Sequence, residues 1–600
     1  MDDICTDAIN RVCMHFDELL IMTKKIKSPY KERKKYRENY CTTLSKVLEY
    51  TSTKYWGRTM AQFVDGGQKY TYNSFREKCV MLSTRMSRFG ISAGDKVAIL
   101  SHNMPNWTLA FFSAAAFGRV AIPILPDSSE NEITNILTHS ESKVIFISQR
   151  LMYKLSQECY DKLTLVVDIE TLEFVKRRKE DFQCNGWVKE PQPEDLAAIL
   201  YTSGTTGKAK GVMLSHRNLC HNLVASFKAQ PCFSSDRFLS ILPMAHAYEM
   251  SVSSFYSMYV GACCYYLSKP PTPSLLIPAM QKVKPTIMLS VPLIIEKVYH
   301  NSVQPIIQKS RFLSWMDEHM PRLLYWFIGR KLIHTFGGQL RFFGVGGSKI
   351  DTKVEEFLIK SRFPYAVGYG LTETAPLVCN VIVNKKKRLG SIGFPSYKVE
   401  IKLDNMDPKT GEGEIMCRGD NVMLGYYKDP ERTIKVLDED GWFRTGDIGY
   451  MDNDGYYYLR GRLNNTILGP SGENIYPEEI EMVINDIKGV DESLVMEENG
   501  SLVALVKFQD YVLNWDQERE DQFIEKIESL KKSVQEFVNR TVGKNSKIDK
   551  VEVMKDPFEK TATQKIRRFK YKKEASSDEE MEKEKRQEER EREQDEAWKE

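Results

Sequence analysis

The sequence lacks the features of a disulfide-stabilised, zinc-binding or nucleic-acid-coating protein. Its 12 cysteines are scattered over 600 residues, with one adjacent pair, Cys263 and Cys264, and no C-x-x-C motif. This distribution argues against a zinc site and a disulfide framework, and it fits a reducing cytosol. The formal net charge is only +3, which excludes a surface that coats nucleic acid by charge. We therefore expect a cytoplasmic protein with no nucleic-acid partner.

Long apolar runs are also missing. The first residues, MDDICTDAINRVCMHF, contain no basic segment followed by a continuous apolar stretch, so no secretory signal peptide is expected. The most apolar stretches, 110–125 and 252–267, are shorter than the roughly 20 residues that cross a bilayer, and the first includes Arg119. We predict that both are buried helix-to-strand segments.

Short apolar runs alternate with helical patterns through the first two hundred residues. The runs are 96–100, 120–125, 143–148, 163–168 and 197–202. Such alternation predicts an α/β fold in which parallel sheets are flanked by helices. From about residue 395 the pattern changes to strands separated by turn clusters, which predicts a β-rich subdomain over about 395–461. The chain length requires more than one hydrophobic core.

One loop suggests phosphate chemistry. The stretch ILYTSGTTGKAKGVMLSH, residues 199–216, places Gly, Ser, Thr and Lys between two apolar runs. Bare backbone amides, hydroxyls and ammonium groups suit an anion. A P-loop is excluded, because Gly204 and Gly207 are separated by only two residues and Lys208 is followed by Ala209. Taken alone, the loop could equally be a polar turn.

Further motifs follow this loop in order. They are GYGLTET at 368–374, WFRTGDIG at 442–449, GRLNNTILGPSGENIYPEEIE at 461–481 and EKTATQKIRR at 559–568. The series resembles the adenylate-forming superfamily, which includes acyl-CoA synthetases, luciferases and peptide-synthetase adenylation domains. The resemblance extends from about the forties to about residue 570.

The resemblance implies that a carboxylate attacks the α-phosphorus of ATP to give an acyl-adenylate and pyrophosphate. Two anions about 4 Å apart repel by roughly 4 kcal/mol at an effective dielectric near 20, which is about a thousandfold in rate. Cations must offset this repulsion. The resemblance assigns catalytic roles to Lys565, Lys208, Thr205 and Glu373, with Glu373 and Thr205 holding Mg²⁺ through oxygen. The implied cofactors are ATP and Mg²⁺, with CoA as co-substrate.

The resemblance also assigns the nucleotide contacts. Tyr369 would stack on adenine beside a Gly-Gly loop, and Asp447 would accept hydrogen bonds from the ribose. The full ATP-binding set is Thr202, Ser203, Gly204, Thr205, Thr206, Gly207, Lys208, Lys210, Gly346, Gly347, Ser348, Tyr369, Gly370, Thr372, Asp447 and Arg462.

A mobile C-terminal domain is part of the same expectation. Lys565 would serve the first step only, after which the small α+β domain rotates so that the turn containing Gly472 and Asn474 lines the CoA channel. The predicted organisation is an N-terminal extension 1–45, a large domain 46–461, a hinge 462–466, a small domain 467–571 and a charged tail 572–600 that is helical or disordered. The chain departs from the family's usual residues at Gln564, Asn464 and Asn465, which leaves the kinetics of rotation open.

The acid is expected to be a long-chain fatty acid. LPMAHAYEM at 242–250, the segments 123–133 and 284–299, and a helical insertion at about 303–335 resemble the long-chain acyl-CoA synthetase branch. His246 and Tyr248 would contact the acyl group, and residues 252–267 and 286–299 could line an apolar tunnel or be ordinary core. No carrier-protein segment follows the small domain, so CoA is the expected acceptor.

Two alternatives remain from the sequence. One is an acyl-AMP ligase that delivers to a separate carrier protein, and the other is a nucleotide-binding homologue without catalysis. The basic N-terminal cluster is interpreted as a solvated helix face, with weak peripheral membrane contact as a further possibility. Chain-length preference and oligomeric state are not readable from the sequence.

Overall fold

The computed structural model describes residues 37–177, 190–203, 209–381, 386–468, 474–498, 500–513, 520–543, 546–561 and 566–571. These residues belong to two compact units, the larger within Met1–Gly204 and Ala209–Leu459 and the smaller within Arg460–Glu600. The predicted α/β fold class is confirmed.

The larger unit is built on two mixed sheets. Its described strands are β1 (Thr59–Phe63), β2 (Lys69–Thr71), β3 (Lys96–Leu100), β4 (Val120–Ile124), β5 (Val144–Ile147), β6 (Leu165–Asp168), β7 (Phe174–Arg177), β8 (Leu196–Ser203), β9 (Ala209–Ser215), β10 (Arg237–Ser240), β11 (Cys263–Tyr266), β12 (Ile287–Ser290), β13 (Phe342–Val345), β14 (Tyr365–Gly370), β15 (Leu377–Asn380), β16 (Ser391–Pro395), β17 (Glu400–Asp404), β18 (Gly413–Arg418), β19 (Gly425–Tyr426), β20 (Phe443–Met451) and β21 (Tyr457–Arg462).

Helices cover these sheets. The described helices are α1 (Leu44–Lys54), α2 (Tyr72–Arg88), α3 (Pro105–Ala115), α4 (Glu130–Ser140), α5 (Gln157–Lys162), α6 (His216–Ala229), α7 (Ala247–Glu249), α8 (Tyr256–Val260), α9 (Pro273–Val283), α10 (Pro292–Val298), α11 (Gln304–Lys309), α12 (Arg311–His319), α13 (Pro321–Thr335), α14 (Thr352–Lys360) and α15 (Pro430–Val436). The π-helical segment Met250–Phe255 joins α7 to α8, and a second one, Tyr299–Val303, joins α10 to α11.

In the described residues, one sheet has the strand order β19-β9-β8-β4-β3-β5-β6-β7. Its central strands β8, β4, β3, β5 and β6 are parallel. Helix α3 packs against this sheet and is buried along its whole length, which suits its largely apolar sequence. The 110–125 stretch is therefore a buried helix followed by a strand, as predicted. Arg119 is buried there, and its guanidinium donates to the carbonyl of Ile91 and the hydroxyls of Ser83 and Ser87.

The second sheet has the described order β17-β18-β20-β21-β16-β15-β14-β13-β12-β10-β11-β1-β2. Strands β1, β11, β10, β12, β13 and β14 are parallel neighbours. Beyond β14 the pairing becomes antiparallel, starting with β15, and β17, β18 and β20 form a meander of antiparallel strands. The change in pairing follows the change in sequence pattern, because a short turn such as 405–412 between β17 and β18 can join only antiparallel neighbours, whereas parallel neighbours need a longer crossover.

The smaller unit contains the short hairpin β22 (Ile467–Leu468) and β23 (Asn474–Ile475), and the sheet of β24 (Val490–Glu498), β25 (Ser501–Phe508) and β26 (Lys550–Met554). Helices α16 (Pro477–Asn485) and α17 (Glu520–Thr541) pack with this sheet through a core that includes Ile480, Val506 and Val538. No helix in the described part of the chain is both long and apolar enough to cross a bilayer.

Candidate active site

The candidate site lies where parallel strands of the larger sheet end. Loop 241–246 with His246 follows β10, residues 346–348 follow β13, and Glu373 closely follows β14. Because β10, β12, β13 and β14 run parallel, their carboxyl ends share one edge of the sheet, which is where open α/β sheets bind ligands.

Glu373 and Lys210 form an ion pair. The Nζ atom of Lys210 is 2.7 Å from Oε1 of Glu373, and the same ammonium group donates to the hydroxyl of Tyr426 at 2.8 Å. The Tyr426 hydroxyl donates to Oε1 of Glu373 at 2.9 Å. Three residues that are distant in sequence therefore meet at one carboxylate oxygen.

The ion pair keeps the Glu373 carboxylate ionised although it is buried. Burial alone would raise the pKa of Glu373, but the charge and hydrogen bond of Lys210, together with the Tyr426 hydroxyl, outweigh burial and hold the pKa below its ordinary value. Burial, followed by the neighbouring charge of Glu373, raises the pKa of Tyr426, so the phenol remains a proton donor. A buried ionised carboxylate is the oxygen donor that Mg²⁺ prefers.

Helix α6 holds the turn that carries Glu373. Asn222 is fully buried in that helix; its amide group donates to the carbonyl of Thr374 at 3.2 Å, and its side-chain oxygen accepts from the backbone N–H of Leu377 at 3.0 Å. The Thr374 hydroxyl donates to the carbonyl of Pro376 at 2.6 Å. Since both sides of the turn are anchored, the Glu373 side chain has little freedom to leave Lys210.

Tyr369 and Asp447 form a second polar pair. The Tyr369 hydroxyl donates to Oδ2 of Asp447 at 2.6 Å, and both residues are buried. Asp447 lies on β20, where its backbone N–H donates to the Thr445 hydroxyl at 3.1 Å. The sequence predicted that both residues serve one nucleotide, and the structure brings them into contact.

Tyr248 packs against the glycine loop that the sequence assigned to adenine. A Cβ atom at Gly344 would lie 2.7 Å from the Tyr248 hydroxyl, and one at Gly346 would lie 3.3 Å from its ring. Larger residues would push Tyr248 out of this position. Gly347 has φ +96°, in the left-handed region that favours glycine.

An apolar pocket adjoins Tyr248. Its cavity volume is about 50 Å³, which is below the usual range for small-molecule sites, so its walls would have to move to admit a long acyl chain. Apolar and aromatic side chains that line it include Tyr248, Val252, Tyr256, Ile287, Phe342, Val367 and Leu377. The stretches 252–267 and 286–299 therefore contribute some walls, while most of their other residues are core. His246 is not among the lining residues; its ring accepts a hydrogen bond from the backbone N–H of Tyr248 at 3.3 Å.

Asn103, which follows β3, fixes the loop that leads to His246. Its amide group donates to the Ser240 hydroxyl at 2.9 Å and the Leu242 carbonyl at 2.6 Å, and its side-chain oxygen accepts from the Met244 backbone at 3.0 Å. These three hydrogen bonds, two donated and one accepted by the Asn103 side chain, hold the loop in place.

Glu249 is a carboxyl group that the sequence analysis did not single out. It is 1% exposed. Among the described residues, neither of its carboxylate oxygens has a hydrogen-bond partner of normal geometry. Burial raises the pKa of Glu249 to about 7, and the nearby hydroxyls of Ser240 and Ser253 offset burial only in part.

The remaining predicted site residues lie outside the contacts described above. Thr202 is half-buried on β8, and Ser203 ends that strand. Ser348 and Gly370 are exposed, and Thr372 is half-buried beside Glu373. Arg462 and Asn474 lie in the smaller unit. The predicted residues outside the described part of the chain are Gly204, Thr205, Thr206, Gly207, Lys208, Gly472 and Lys565, as are the tail 572–600 and most of the extension 1–45.

Tyr426, Asn222, Asn103 and Glu249 were missed by the sequence reasoning. Tyr426 lies in a stretch with no motif, and the two asparagines look like ordinary turn or helix residues. Glu249 directly follows Tyr248 in LPMAHAYEM, and a charged residue in such an apolar stretch is a signal that could have been used.

Comparison with known proteins identifies the family of the chain. Residues 48–427 match the family of AMP-binding enzymes. Long chain acyl-CoA synthetase 6, peroxisomal, of Arabidopsis thaliana is 30% identical over 513 residues, which cover 78% of this chain and 72% of that protein. The chloroplastic long-chain-fatty-acid–[acyl-carrier-protein] ligase AEE15 of the same plant is 27% identical over 606 residues, covering 84% and 82%.

The fold is shared with solved structures. ATP-bound MatB from Rhodopseudomonas palustris superposes with a TM-score of 0.70 at 21% identity, over 88% of this chain and 98% of that one. The match to AMP-binding enzymes covers more than half of the chain, and Tyr369 and Glu373 lie at or just beyond the carboxyl end of β14, at the kind of sheet edge where open α/β sheets bind ligands. The chain therefore belongs to the family of AMP-binding enzymes and is a relative of its long-chain acyl-CoA synthetases.

Proposed function

We propose that this protein is an ATP-dependent long-chain fatty acid–CoA ligase that works through an acyl-adenylate. The observation that carries the proposal is that strands β13 and β14 contribute residues both to the apolar pocket and to the proposed nucleotide site. Phe342, Gly344 and Val367 line the apolar pocket, while Gly346 and Tyr369 stand at the carboxyl ends of the same strands. A nucleotide at these ends and an acyl tail in the pocket would meet at their reactive groups.

In the first step a carboxylate oxygen of the fatty acid attacks the α-phosphorus of ATP, and pyrophosphate leaves. The proposed phosphate contacts are Lys210, Lys208 and the hydroxyls and amides of 202–207, which supply donors where negative charge develops. Glu373 and Thr205 would hold Mg²⁺, which neutralises phosphate charge when bound. Tyr369 supports the base, and Asp447 and Arg462 contact the ribose.

The apolar pocket is proposed to receive the acyl chain. The surface of its walls is mainly apolar, although Ser226, Gln230 and Asn380 also line it, so a methylene chain gains by leaving water, at about 25 cal/mol per Å² of buried apolar surface. Tyr248 would separate the acyl chain from the glycine loop, and His246 would order the turn at the start of α7 through its bond to the Tyr248 backbone.

In the second step the CoA sulfur attacks the acyl carbonyl, the thiol gives up its proton and AMP leaves. We infer that Lys565 serves only the first step and that the small domain, 467–571, turns about a hinge at 462–466. Gly472 and Asn474 would then line the CoA channel. The hinge residue Asn465 donates to Oε1 of Glu478 at 2.6 Å within the smaller unit; of the two residues usual in this hinge, Asp or Lys, an ionised Asp could not donate such a bond.

CoA is the proposed acceptor, with a carrier protein as the second candidate because a relative named as an acyl-carrier-protein ligase covers most of the chain. The test incubates purified protein with ATP, Mg²⁺ and acids of increasing chain length, and measures pyrophosphate and thioester with CoA or with holo-carrier protein. Acid-dependent pyrophosphate release and acyl-CoA formation support the proposal. Product on the carrier alone would favour the second candidate, and no pyrophosphate with any acid would indicate an inactive homologue.

The protein is proposed to work in the cytoplasm with weak peripheral contact to membranes, because its substrate partitions into lipid. Relatives named as peroxisomal and chloroplastic make organelle location the alternative, which imaging of a tagged chain would reveal.

A further inference from the structure

The helical insertion presents large apolar side chains to solvent. Phe312 is 66% exposed and Trp315 48% on helix α12, and Phe327 is 54% exposed and Leu323 41% on helix α13. Scattered single apolar residues are normal on a protein surface, but clusters of this size mark a site of contact.

The exposed residues recur at helical spacing. The rings of Phe312 and Trp315 stack with centroids 6.3 Å apart, and Trp315 stacks on His319 at 5.1 Å. Leu323 and Phe327 are four positions apart on α13, so they share one face of that helix. We call Phe312, Trp315, Leu323 and Phe327 the outer apolar set.

Both helices also have a buried side. Met316 on α12 and Leu324 on α13 belong to a core cluster with Tyr248, Leu289 and Val345. The outer apolar set is therefore not the face by which these helices hold to the enzyme. A helix with apolar residues on two sides is expected only where a second apolar partner covers it.

Positive charge accompanies the outer apolar set. Residues 303–335 contain five Lys and Arg side chains and two Asp and Glu side chains, a net charge of +3 that equals the net charge of the whole chain. Arg311, Arg322, Arg330 and Lys331 are exposed on α12 and α13. The insertion is thus basic within a nearly neutral protein.

We propose that this face of the insertion, the outer apolar set with Arg311, Arg322, Arg330 and Lys331, docks on an anionic lipid membrane. Apolar side chains in a helix enter the headgroup boundary, while Lys and Arg stay at the surface and attract acidic lipids. The tail 572–600 of the same chain is acidic and therefore opposite in charge to this face. Its sequence has too few apolar residues to cover the aromatic rings. A second copy of the chain would bring the same positive charge and be repelled.

Docking through this face suits the proposed function. Because α12 and α13 share a core with Tyr248, the docked surface and the acyl pocket belong to one packed body. A fatty acid dissolved in the bilayer would then be activated close to where it resides. Only this step of the reasoning rests on the proposed function.

The test is flotation of the full-length protein with vesicles, without substrates. Vesicles of phosphatidylcholine alone are compared with vesicles that also contain phosphatidylglycerol. One variant replaces apolar residues (Phe312→Ser, Trp315→Ser, Phe327→Ser), and a second neutralises charge (Arg322→Gln, Arg330→Gln, Lys331→Gln). The matched control, Ile434→Ser with Lys435→Gln, changes an exposed apolar and basic pair on helix α15. Thermal unfolding verifies that each variant is folded.

We expect the wild type and the control to float with the anionic vesicles and to be released by salt. Each triple variant should lower the vesicle partition coefficient by roughly tenfold or more. Equal flotation of the triple variants and the wild type would overturn the proposal. It would equally be overturned by a wild type that does not float but forms a dimer that the apolar variant dissociates. A wild type that floats with the vesicles but shows no ligase activity in the separate pyrophosphate and thioester assays would refute the proposed function and leave the docking surface intact.

Discussion

The ammonium group of Lys210 lies 2.7 Å from Oε1 of Glu373. The sequence assigns Lys210 to phosphate and Glu373 to Mg²⁺, yet each is the other's partner. Because Lys210 and Tyr426 both contact Oε1, a cation would bind Glu373 through Oε2 or displace them, and in either position it would share the negative charge of the carboxylate with the Lys210 ammonium group. The proposed phosphate contact, the proposed Mg²⁺ ligand and the ion pair therefore all depend on the carboxylate of Glu373.

Replacing Lys210 by Met should separate these roles. With the positive charge removed, Glu373 should bind Mg²⁺ more tightly, so the Mg²⁺ concentration at half-maximal rate falls. The rate of pyrophosphate release at saturating Mg²⁺ should fall by about a hundredfold, roughly 3 kcal/mol, because a phosphate contact is lost. Steady-state kinetics across Mg²⁺ concentrations measure both. Tyr426→Phe removes the hydrogen bonds of the hydroxyl group but no formal charge, and it serves as the control; an unchanged Mg²⁺ dependence in Lys210→Met would contradict the linkage.

The same pair predicts a dependence of stability on pH. The pKa of Glu373 is lowered in the folded protein, so the pair stabilises the fold above the unfolded pKa of about 4.3. That stabilisation is lost as the pH falls from there through the folded pKa. Denaturant unfolding of wild type and Lys210→Met should differ most near pH 7 and converge in acid. A difference that grows in acid would show that the sign is wrong.

Tyr369 and Asp447 predict a graded effect on ATP affinity. Tyr369→Phe keeps the ring and loses the 2.6 Å bond to Asp447, so the KM for ATP should rise only a few-fold. Tyr369→Ala also loses the ring and should raise it by about tenfold or more, in keeping with about 1–3 kcal/mol for base stacking. If Phe is as harmful as Ala in initial-rate measurements, the ring does not support adenine.

Asn103 predicts a selective effect on the acid. Asn103→Ala removes three hydrogen bonds to loop 240–244 and should destabilise the protein by about 1–3 kcal/mol. The KM for the fatty acid should rise, while the KM for ATP stays within about twofold, because the loop leads to His246 and not to the proposed nucleotide contacts. Asn73→Ala, which breaks an exposed bond to Glu77, is the matched control. Equal changes in both KM values would indicate general damage.

Glu249 predicts a second dependence on pH, of opposite sign. Its pKa is raised from 4.5 to about 7, so the folded state holds a proton that the unfolded state releases. The wild type should therefore lose stability as the pH rises from about 4.5 to 7, by about 3 kcal/mol. Glu249→Gln has no carboxyl group to titrate and does not lose this stability. The free energy of unfolding of the variant should therefore exceed that of the wild type by an amount that grows between pH 5 and 8. A constant difference across that range would mean that Glu249 titrates normally.

The sequence predicted the strands of the sheets well because apolar runs and turn clusters involve residues that are close together in the chain. Apolar runs at 96–100 and 143–148 became β3 and β5, and the turn clusters after residue 395 gave antiparallel strands. The insertion at 303–335 formed helices, as expected. What the motifs could not predict is contact between distant residues. Tyr426 lies near Lys210 because β9 pairs with β19, which brings Tyr426 opposite Val212, and the backbone N–H of Met423, just before β19, donates to the carbonyl of Glu373.

Other site residues escaped prediction for the same physical reason. Asn103 acts through hydrogen bonds to a loop about 140 residues later, and no spacing rule connects the two. The unsatisfied carboxyl group of Glu249 is evident only from its burial. Motifs identify groups that touch substrates, whereas the residues that hold those groups depend on packing.

The most direct test of the two-step account compares Lys565→Ala with the wild type in the separate half-reactions. Adenylate formation from acid and ATP is followed by pyrophosphate release, and thioester formation is started from supplied acyl-adenylate and CoA. We expect the first half-reaction to fall by about a hundredfold or more, roughly 3 kcal/mol, and the second to remain within a few-fold of the wild type. An equal loss in both half-reactions would contradict the claim that Lys565 serves adenylate formation alone.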